Sequence, residues 1–145
     1  MIEKIVFGGG SFWLLQNKFD KLNGIISTLV GYSGGLSILP KFNDVAQGGT
    51  GHIEVIEILY DTNIVSFQKV CELFFSSHNF SEEESRDFSH YKSIIFYQNE
   101  EQQELSEKFI EKLRGLGDIV TEIRPPTTFY VAEENHQKYI EKKFG

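Results

Sequence analysis

The sequence has a single cysteine, Cys71, among 145 residues. One cysteine excludes an intrachain disulfide and any metal site built from several thiolates. No apolar run approaches the roughly 20 residues that a membrane-spanning helix needs. The first residues also lack the basic region and apolar stretch that are typical of a secretion signal. We therefore expect an intracellular, cytoplasmic protein that is not held in a membrane.

Basic residues are also scarce, since 14 Lys and Arg face 21 Asp and Glu and give a formal charge of −7. The basic residues form no cluster, so the composition argues against nucleic acid as a partner. The length and the 40% hydrophobic content predict one compact domain over residues 1–145. The 13 Phe, 6 Tyr and one Trp are enough to fill a core and also line a pocket.

The pattern of apolar residues predicts alternating strands and helices. Strands are expected at residues 2–7, 25–32, 52–60, 93–97 and 119–123. Helices are expected at residues 11–22, 65–78 and 100–113, a packed functional loop at 33–49, a loop at 79–89, and a partly helical tail at 129–145. This order predicts an α+β sandwich in which one sheet is covered by helices.

The first candidate site is the glycine turn at residues 8–10, which leads from a strand into a helix whose N-cap is Ser11. The exposed amides and dipole of a helix N-terminus suit an anion or a thiolate at that position. The glycines do not fit a phosphate-binding loop. A serine-hydrolase elbow would need Gly where Trp13 stands. An ordinary tight turn with a serine cap remains the alternative.

The second candidate is Glu54, which stands between Ile53 and Val55 on an expected central strand. Burial would raise its pKa and keep the carboxyl protonated, as a general acid requires. The alternation of the strand gives each face one carboxylate, Glu54 or Glu57. Spacing alone therefore does not decide whether Glu54 lies on the buried face or on the solvated face. The sequence His52-x-Glu54 matches half of a zinc deaminase signature, but the P-C-x-x-C half is absent and no metal is expected.

Tyr32 and Tyr91 are further candidates, because phenols can donate hydrogen bonds into a cleft, although lone tyrosines more often belong to the core. Cys71 falls on the apolar face of an expected helix, which predicts a small buried hydrophobic residue. Its use as a substitute nucleophile would require that helix to face the site.

Five ordered segments together resemble the A-type peptide methionine sulfoxide reductases. They are Gly-Ser-Phe-Trp at residues 10–13, Gly-Tyr-Ser-Gly-Gly at 31–35, Gly-His-Ile-Glu-Val at 51–55, Tyr-Lys-Ser-Ile-Ile-Phe at 91–96 and Phe-Tyr-Val-Ala-Glu-Glu-Asn-His-Gln at 129–137. The resemblance covers nearly the whole chain. It implies a two-layer α+β sandwich with a ferredoxin-like core.

The resemblance also implies roles for individual residues. Phe12 and Trp13 would wall an apolar pocket for the terminal methyl of methionine sulfoxide. Glu54 would protonate the sulfoxide oxygen, and Tyr32 and Tyr91 would hold that oxygen by hydrogen bonds. The pocket would accept the S epimer, and a sulfenic acid would form on the family's cysteine as methionine leaves.

The chain departs from the family pattern in its middle and in its cysteines. The segment 78–91 is shorter than usual, and His90-Tyr91-Lys92 replaces the customary Gln-Tyr-Arg. Asp87 is the candidate match for the family's loop aspartate, and His136 in the last segment is a further candidate. No cysteine follows Cys71, so an active form would need an external thiol such as thioredoxin, glutaredoxin or glutathione. We expect a monomer.

Ser11 occupies the place of the family's catalytic cysteine. A thiolate is a good nucleophile near neutral pH, whereas a serine hydroxyl is not. Attack by oxygen would also leave a peroxide-like O–O product in place of a sulfenic acid. We therefore expect the chain to bind methionine sulfoxide without reducing it, and interpret Ser11 as an engineered Cys→Ser replacement or a natural variant. The alternative functions are a non-catalytic binder of oxidised methionine and, less favoured, a serine hydrolase.

Overall fold

The computed structural model describes residues 1–77, 90–115, 117 and 119–144. Within these residues, the strands are β1 (Ile2–Gly8), β2 (Ile25–Ser33), β3 (Ile53–Asp61), β4 (Ile94–Phe96), β5 (Glu122–Arg124) and β6 (Tyr130–Val131). The helices are α1 (Phe12–Phe19), α2 (Phe42–Ala46), α3 (Phe67–Ser76), α4 (Glu100–Arg114) and α5 (Tyr139–Phe144), with a 3-10 turn at Glu134–His136.

The described strands form one mixed sheet in the order β5-β4-β1-β3-β2-β6. Only the β4–β5 pair among these strands is parallel. The central order β4-β1-β3-β2, with α1 between β1 and β2 and α3 between β3 and β4, is the βαββαβ arrangement of a ferredoxin-like core. The predicted α+β sandwich with a helix-covered mixed sheet is therefore confirmed.

Helical spacing explains how α1 and α3 cover the sheet. In α1, Phe12, Leu15 and Phe19 are completely buried at three- and four-residue steps. The larger core lies between the helices and one sheet face, and the rings of Phe7 and Phe74 stack there with centroids 4.2 Å apart. A smaller apolar cluster covers the opposite face. The sheet is thus buried on both sides over its central strands.

The structure differs from the sequence prediction at three elements. The expected loop 33–49 contains α2, which is too short to show helical periodicity and is held by the burial of Val45. The tail predicted to be partly helical also supplies β6, which pairs with β2. The last predicted strand, at 119–123, is replaced by Glu122–Arg124, because parallel pairing with β4 begins only at Glu122.

Gly31 allows β6 to lie close against β2. A Cβ atom at this position would lie 2.3 Å from the carbonyl oxygen of Tyr130, a distance that only glycine avoids. The edge pairing that adds the tail to the sheet therefore depends on one glycine. None of the helices in the described ranges is long and apolar enough to cross a membrane.

Candidate active site

Ser11 caps α1 directly after the glycine turn. Gly10 adopts φ +74°, a backbone conformation that glycine tolerates without strain, and Ser11 then takes an extended conformation at the N-cap. The Ser11 Oγ accepts a hydrogen bond from the Trp13 amide at 3.3 Å. The hydroxyl therefore lies at the positive end of the helix dipole, as the sequence predicted.

Glu54 lies next to this helix start, on the sheet face that the helices cover. The residue as a whole is 1% exposed, and its Oε1 accepts a hydrogen bond from the Phe12 amide at 3.2 Å. Burial raises the pKa of Glu54 to about 7, although the Phe12 N–H opposes this shift. Since Phe12 follows Ser11 directly, a carboxyl group that holds its proton near neutral pH adjoins position 11.

Tyr32 lies beside Glu54, because the two residues are directly paired across β2 and β3. The phenol is fully buried and donates to Glu133 Oε1 at 2.9 Å, while Glu133 Oε2 accepts from the Phe42 amide at 3.0 Å. Burial, together with the hydrogen bond and charge of Glu133, raises the pKa of Tyr32. The phenol thus stays protonated and is the donor of the hydrogen bond to Glu133.

The carboxylate of Glu133 is held in its charged form. Burial would by itself raise the pKa of Glu133, but the hydrogen bonds from the Phe42 amide and the Tyr32 phenol hold that pKa below its ordinary value. Sequence reasoning missed Glu133 and Phe42 as members of the site. Their partners lie 101 and 91 residues apart in the chain, so no local pattern could have paired them.

The two aromatic residues predicted to wall an open pocket differ in exposure. Phe12 is completely buried, so it offers no exposed surface of its own and lies behind Trp13, with ring centroids 6.4 Å apart. Trp13 is half-buried, and its ring stacks on Tyr139 with centroids 4.0 Å apart. The Trp13 indole N–H donates to His136 Nδ1 at 3.1 Å, and His136 stacks on Phe42 with centroids 4.2 Å apart. His136 therefore belongs to an aromatic cluster beside the helix start.

His90 and Tyr91 approach the site from the segment before β4. Tyr91 is half-buried, its ring lies 4.1 Å from that of His90, and its carbonyl accepts a hydrogen bond from the Gly10 amide at 3.2 Å. His90 Nε2 lies 3.6 Å from Glu54 Oε2. Burial lowers the pKa of His90. Sequence reasoning noted His90 only as a departure from the family pattern.

The remaining candidates lie apart from this cluster or outside the described residues. Asp87 falls within residues 78–89, which the structure does not describe. Cys71 is 1% exposed on the apolar face of α3, and burial raises its thiol pKa. These findings agree with the prediction of a buried structural cysteine and give no support to Cys71 as a substitute nucleophile.

His52 holds the loop before β3. Its Nδ1 accepts a hydrogen bond from the Gly35 amide at 3.1 Å, so its Nε2 carries the hydrogen that is donated to the Ser37 carbonyl at 2.7 Å. Both ring nitrogens are thus used within the protein. No group of three or more potential His, Cys, Asp or Glu metal ligands occurs in the parts of the chain that the structure describes.

The arrangement combines three properties at one helix end. The helix N-terminus favours negative charge at position 11, Glu54 can supply a proton near neutral pH, and Tyr32 is a buried phenol donor. Trp13 offers a partly exposed apolar surface beside them. Such a site suits a small polar oxygen attached to an apolar group.

Comparison with known proteins gives a consistent result. The sequence profile of the family described as peptide methionine sulfoxide reductase matches residues 3–145. The chain is similar to the peptide methionine sulfoxide reductase MsrA of Natronomonas pharaonis, with 40% identity over 149 residues that cover 98% of this chain and 84% of the relative.

Solved structures show the same architecture. Methionine sulfoxide reductase A of Corynebacterium diphtheriae superposes with a TM-score of 0.82 and 28% identity, covering 98% of this chain and 75% of that one. Mxr1 from Saccharomyces cerevisiae in complex with Trx2 superposes with a TM-score of 0.65 and 20% identity, covering 95% and 84% of the two chains, which shows a shared fold.

Proposed function

This chain belongs to the peptide methionine sulfoxide reductase family, and on that premise we propose that its site binds Met-S-sulfoxide in peptides and proteins. We propose further that the chain with Ser11 binds this group without reducing it. The cysteine form of the same site would act as a peptide-methionine (S)-S-oxide reductase, which is an oxidoreductase of protein repair under oxidative stress.

The observation that supports this proposal is the contact between Glu54 and the start of α1. Glu54 Oε1 accepts the Phe12 amide at 3.2 Å, one residue after position 11, and burial raises the carboxyl pKa to about 7. A sulfoxide whose sulfur approaches position 11 would therefore present its oxygen to a proton donor. Protonation of that oxygen makes the sulfur more susceptible to attack.

With sulfur at position 11, the electrons and atoms balance. A thiolate would attack the sulfoxide sulfur while Glu54 gives its proton to the oxygen. The oxygen then passes to the attacking sulfur as a sulfenic acid, and methionine leaves as the thioether. Two equivalents of an external thiol would return the sulfenic acid to the thiol, with release of water and a disulfide.

With Ser11 the same sequence of steps ends before reduction. A serine hydroxyl is a poor nucleophile because it stays protonated near neutral pH. Oxygen transfer to it would create an O–O bond, which lacks the stability of a sulfenic acid. Tyr32, Tyr91, Phe12 and Trp13 would still support binding, which is why we propose a competent binding site without turnover.

The reductant of the cysteine form would be an external thiol. Cys71 is the sole cysteine of the sequence and is buried, so it offers no accessible second thiol. Mxr1 of Saccharomyces cerevisiae has been solved in complex with Trx2, and we propose thioredoxin as the reductant here, with glutaredoxin and glutathione as alternatives. We also propose one domain over residues 1–145 that acts as a monomer.

A second function, a non-catalytic binder of oxidised methionine in partner proteins, is favoured by one observation. Ser11 fits its position without disturbance, because its Oγ caps α1 through the Trp13 amide. A binder would need the pocket and the hydrogen-bonding groups but no nucleophile. The two functions therefore share the site and differ in whether restoring sulfur restores chemistry.

The test compares the chain with its Ser11→Cys and Ser11→Ala variants on a peptide that contains Met-S-sulfoxide, with dithiothreitol or thioredoxin as reductant. We expect methionine formation by Ser11→Cys alone and binding by all three proteins. The R-sulfoxide peptide is the stereochemical control. Binding by all three proteins without turnover by Ser11→Cys would support the non-catalytic binder, and failure of all three to bind would contradict both functions.

A further inference from the structure

His90 lies close to the Glu54 oxygen that accepts no hydrogen bond from the described residues. Glu54 Oε1 is used by the Phe12 amide, but the buried Oε2 has no hydrogen-bond partner within the described part of the chain. His90 Nε2 lies 3.6 Å from that Oε2, slightly beyond a direct hydrogen bond. A small rotation of the imidazole would close this gap.

The backbone fixes His90 in this position. The Glu54 amide donates to the His90 carbonyl at 2.9 Å, and the Gly10 amide donates to the next carbonyl, that of Tyr91, at 3.2 Å. His90 is thereby tied to β3 on one side and to the turn before α1 on the other. These two backbone hydrogen bonds bring the His90 side chain close to Glu54.

His90 also connects the buried carboxyl with solvent. The side chain of Glu54 is 2% exposed, whereas that of His90 is 24% exposed. Glu54 must regain a proton after each transfer, and its own oxygens have almost no contact with water. An imidazole can take a proton on one nitrogen and release one from the other, so a ring between the carboxyl and water can carry that proton.

We propose that His90 is a positioning residue that returns the proton to Glu54, an inference that rests on the proposed function. When Glu54 gives its proton to the sulfoxide oxygen, it becomes a carboxylate. Water protonates the outer nitrogen of His90, and the imidazolium passes its Nε2 proton to Glu54 Oε2. The imidazole is then neutral with its hydrogen on the outer nitrogen, and Glu54 is again an acid for the next substrate. Proton exchange of the partly exposed ring with water returns it to the Nε2–H tautomer before the next cycle.

The other groups around Glu54 are less suited to this step. Tyr32, from β2, is fully buried and keeps its proton in a hydrogen bond to Glu133, whose carboxylate is held by this phenol and by the Phe42 amide. From α1, Phe12 presents an amide N–H that does not titrate. Beside His90, Tyr91 carries a phenol in place of an imidazole, and its ring centroid lies 4.1 Å from that of His90.

The first test uses the chain as it exists. Nuclear magnetic resonance of the His90 ring across pH 4.5 to 9 should show two steps, one from His90 itself and one near pH 7 from Glu54, because neighbouring sites report each other's titration. Glu54→Gln should remove the upper step. His136, in the same spectra, is the internal control and should titrate alike in both proteins. A single His90 step that Glu54→Gln leaves unchanged would overturn the proposal.

The second test measures multiple-turnover formation of methionine in the Ser11→Cys background, with the thiol reductant at saturating concentration, because Glu54 must then regain its proton in every cycle. His90→Gln should slow the reaction about tenfold at pH 8 and no more than about twofold at pH 6, where solvent protonates Glu54 more readily. In His90→Ala, added imidazole should restore the rate at pH 8. An equal loss at both pH values, without rescue, would indicate a structural role and contradict the proposal.

The two tests separate this proposal from the proposed function. If Ser11→Cys shows no turnover, the reductase function fails, while the His90 titration still decides whether the pair is coupled. If Ser11→Cys turns over and the coupling is absent, only the role of His90 fails.

Discussion

Replacing Glu54 by glutamine should change how the stability of the protein depends on pH. The pKa of Glu54 rises from 4.5 to about 7 in the fold because burial penalises the charged form. Between these two values the unfolded chain has released this proton and the native protein still holds it. Stability should therefore fall as the pH rises from about 4.5 to 7 and then stay level.

The size of this effect follows from the shift. The pKa of Glu54 rises from 4.5 in the unfolded chain to about 7 in the fold. At about 1.4 kcal/mol per pKa unit, this rise corresponds to about 3 kcal/mol of folding free energy. Glutamine has no charge to bury and can still accept the Phe12 amide through its oxygen. Relative to the parent, Glu54→Gln should gain about 3 kcal/mol between pH 4.5 and pH 8.

Urea denaturation of both proteins at pH 4.5, 6 and 8 measures this difference. Burial lowers the pKa of His90, which makes the native state lose stability as the pH falls below the ordinary value of 6.5. That contribution is present in both proteins and largely cancels in the comparison. Glu57→Gln, on the opposite face of β3, is the matched control. Parallel stability curves for the parent and Glu54→Gln would refute the inferred burial of an ionisable acid.

Three further predictions concern other contacts. Tyr32→Phe removes the phenol hydroxyl that donates to Glu133. Because this hydrogen bond is to a charged group, its loss should lower the free energy of unfolding by about 1 to 3 kcal/mol in urea denaturation. An unchanged free energy of unfolding would show that water replaces the hydroxyl as donor. Gly31→Ala places a Cβ against the carbonyl of Tyr130 and should speed amide hydrogen exchange in β6, and retained protection would contradict the close approach. Cys71 should react with a thiol reagent only after unfolding, since it is 1% exposed, and rapid labelling of the native protein would contradict its burial.

Much of the fold could be predicted because its main helices and strands have recognisable patterns in the local sequence. Residues of α1 and α3 repeat at helical steps, and the glycine turn together with the apolar spacing of residues 12–22 predicts Ser11 at a helix start. The β6 pairing could not be predicted from local patterns, because two residues carry no periodicity and their partner strand lies about 100 residues earlier. The length of β5 was likewise set by its neighbour, β4.

The sequence identified individual residues of the site, but it did not show which groups these residues contact. Alternation left Glu54 and Glu57 equivalent, and only the position of α1 over the sheet decides that Glu54 is the buried one. The same limitation applies to Tyr32, whose phenol was expected to face a ligand and instead donates to Glu133. For Tyr32 to hold a sulfoxide oxygen, it must exchange this partner for the ligand, so binding and the loss of the Glu133 contact should be coupled.

Position 11 connects the stability of the helix with the reactivity of the site. An oxygen there is a good N-cap, because the Ser11 Oγ accepts the Trp13 amide, while a neutral thiol accepts hydrogen bonds weakly. A thiolate, by contrast, would carry negative charge at the positive end of α1 and accept the same amide. The helix start that serine stabilises as a neutral cap would therefore favour ionisation of a thiol in Ser11→Cys. One atom thus determines whether this helix end is only a structural cap or also activates a nucleophile beside Glu54.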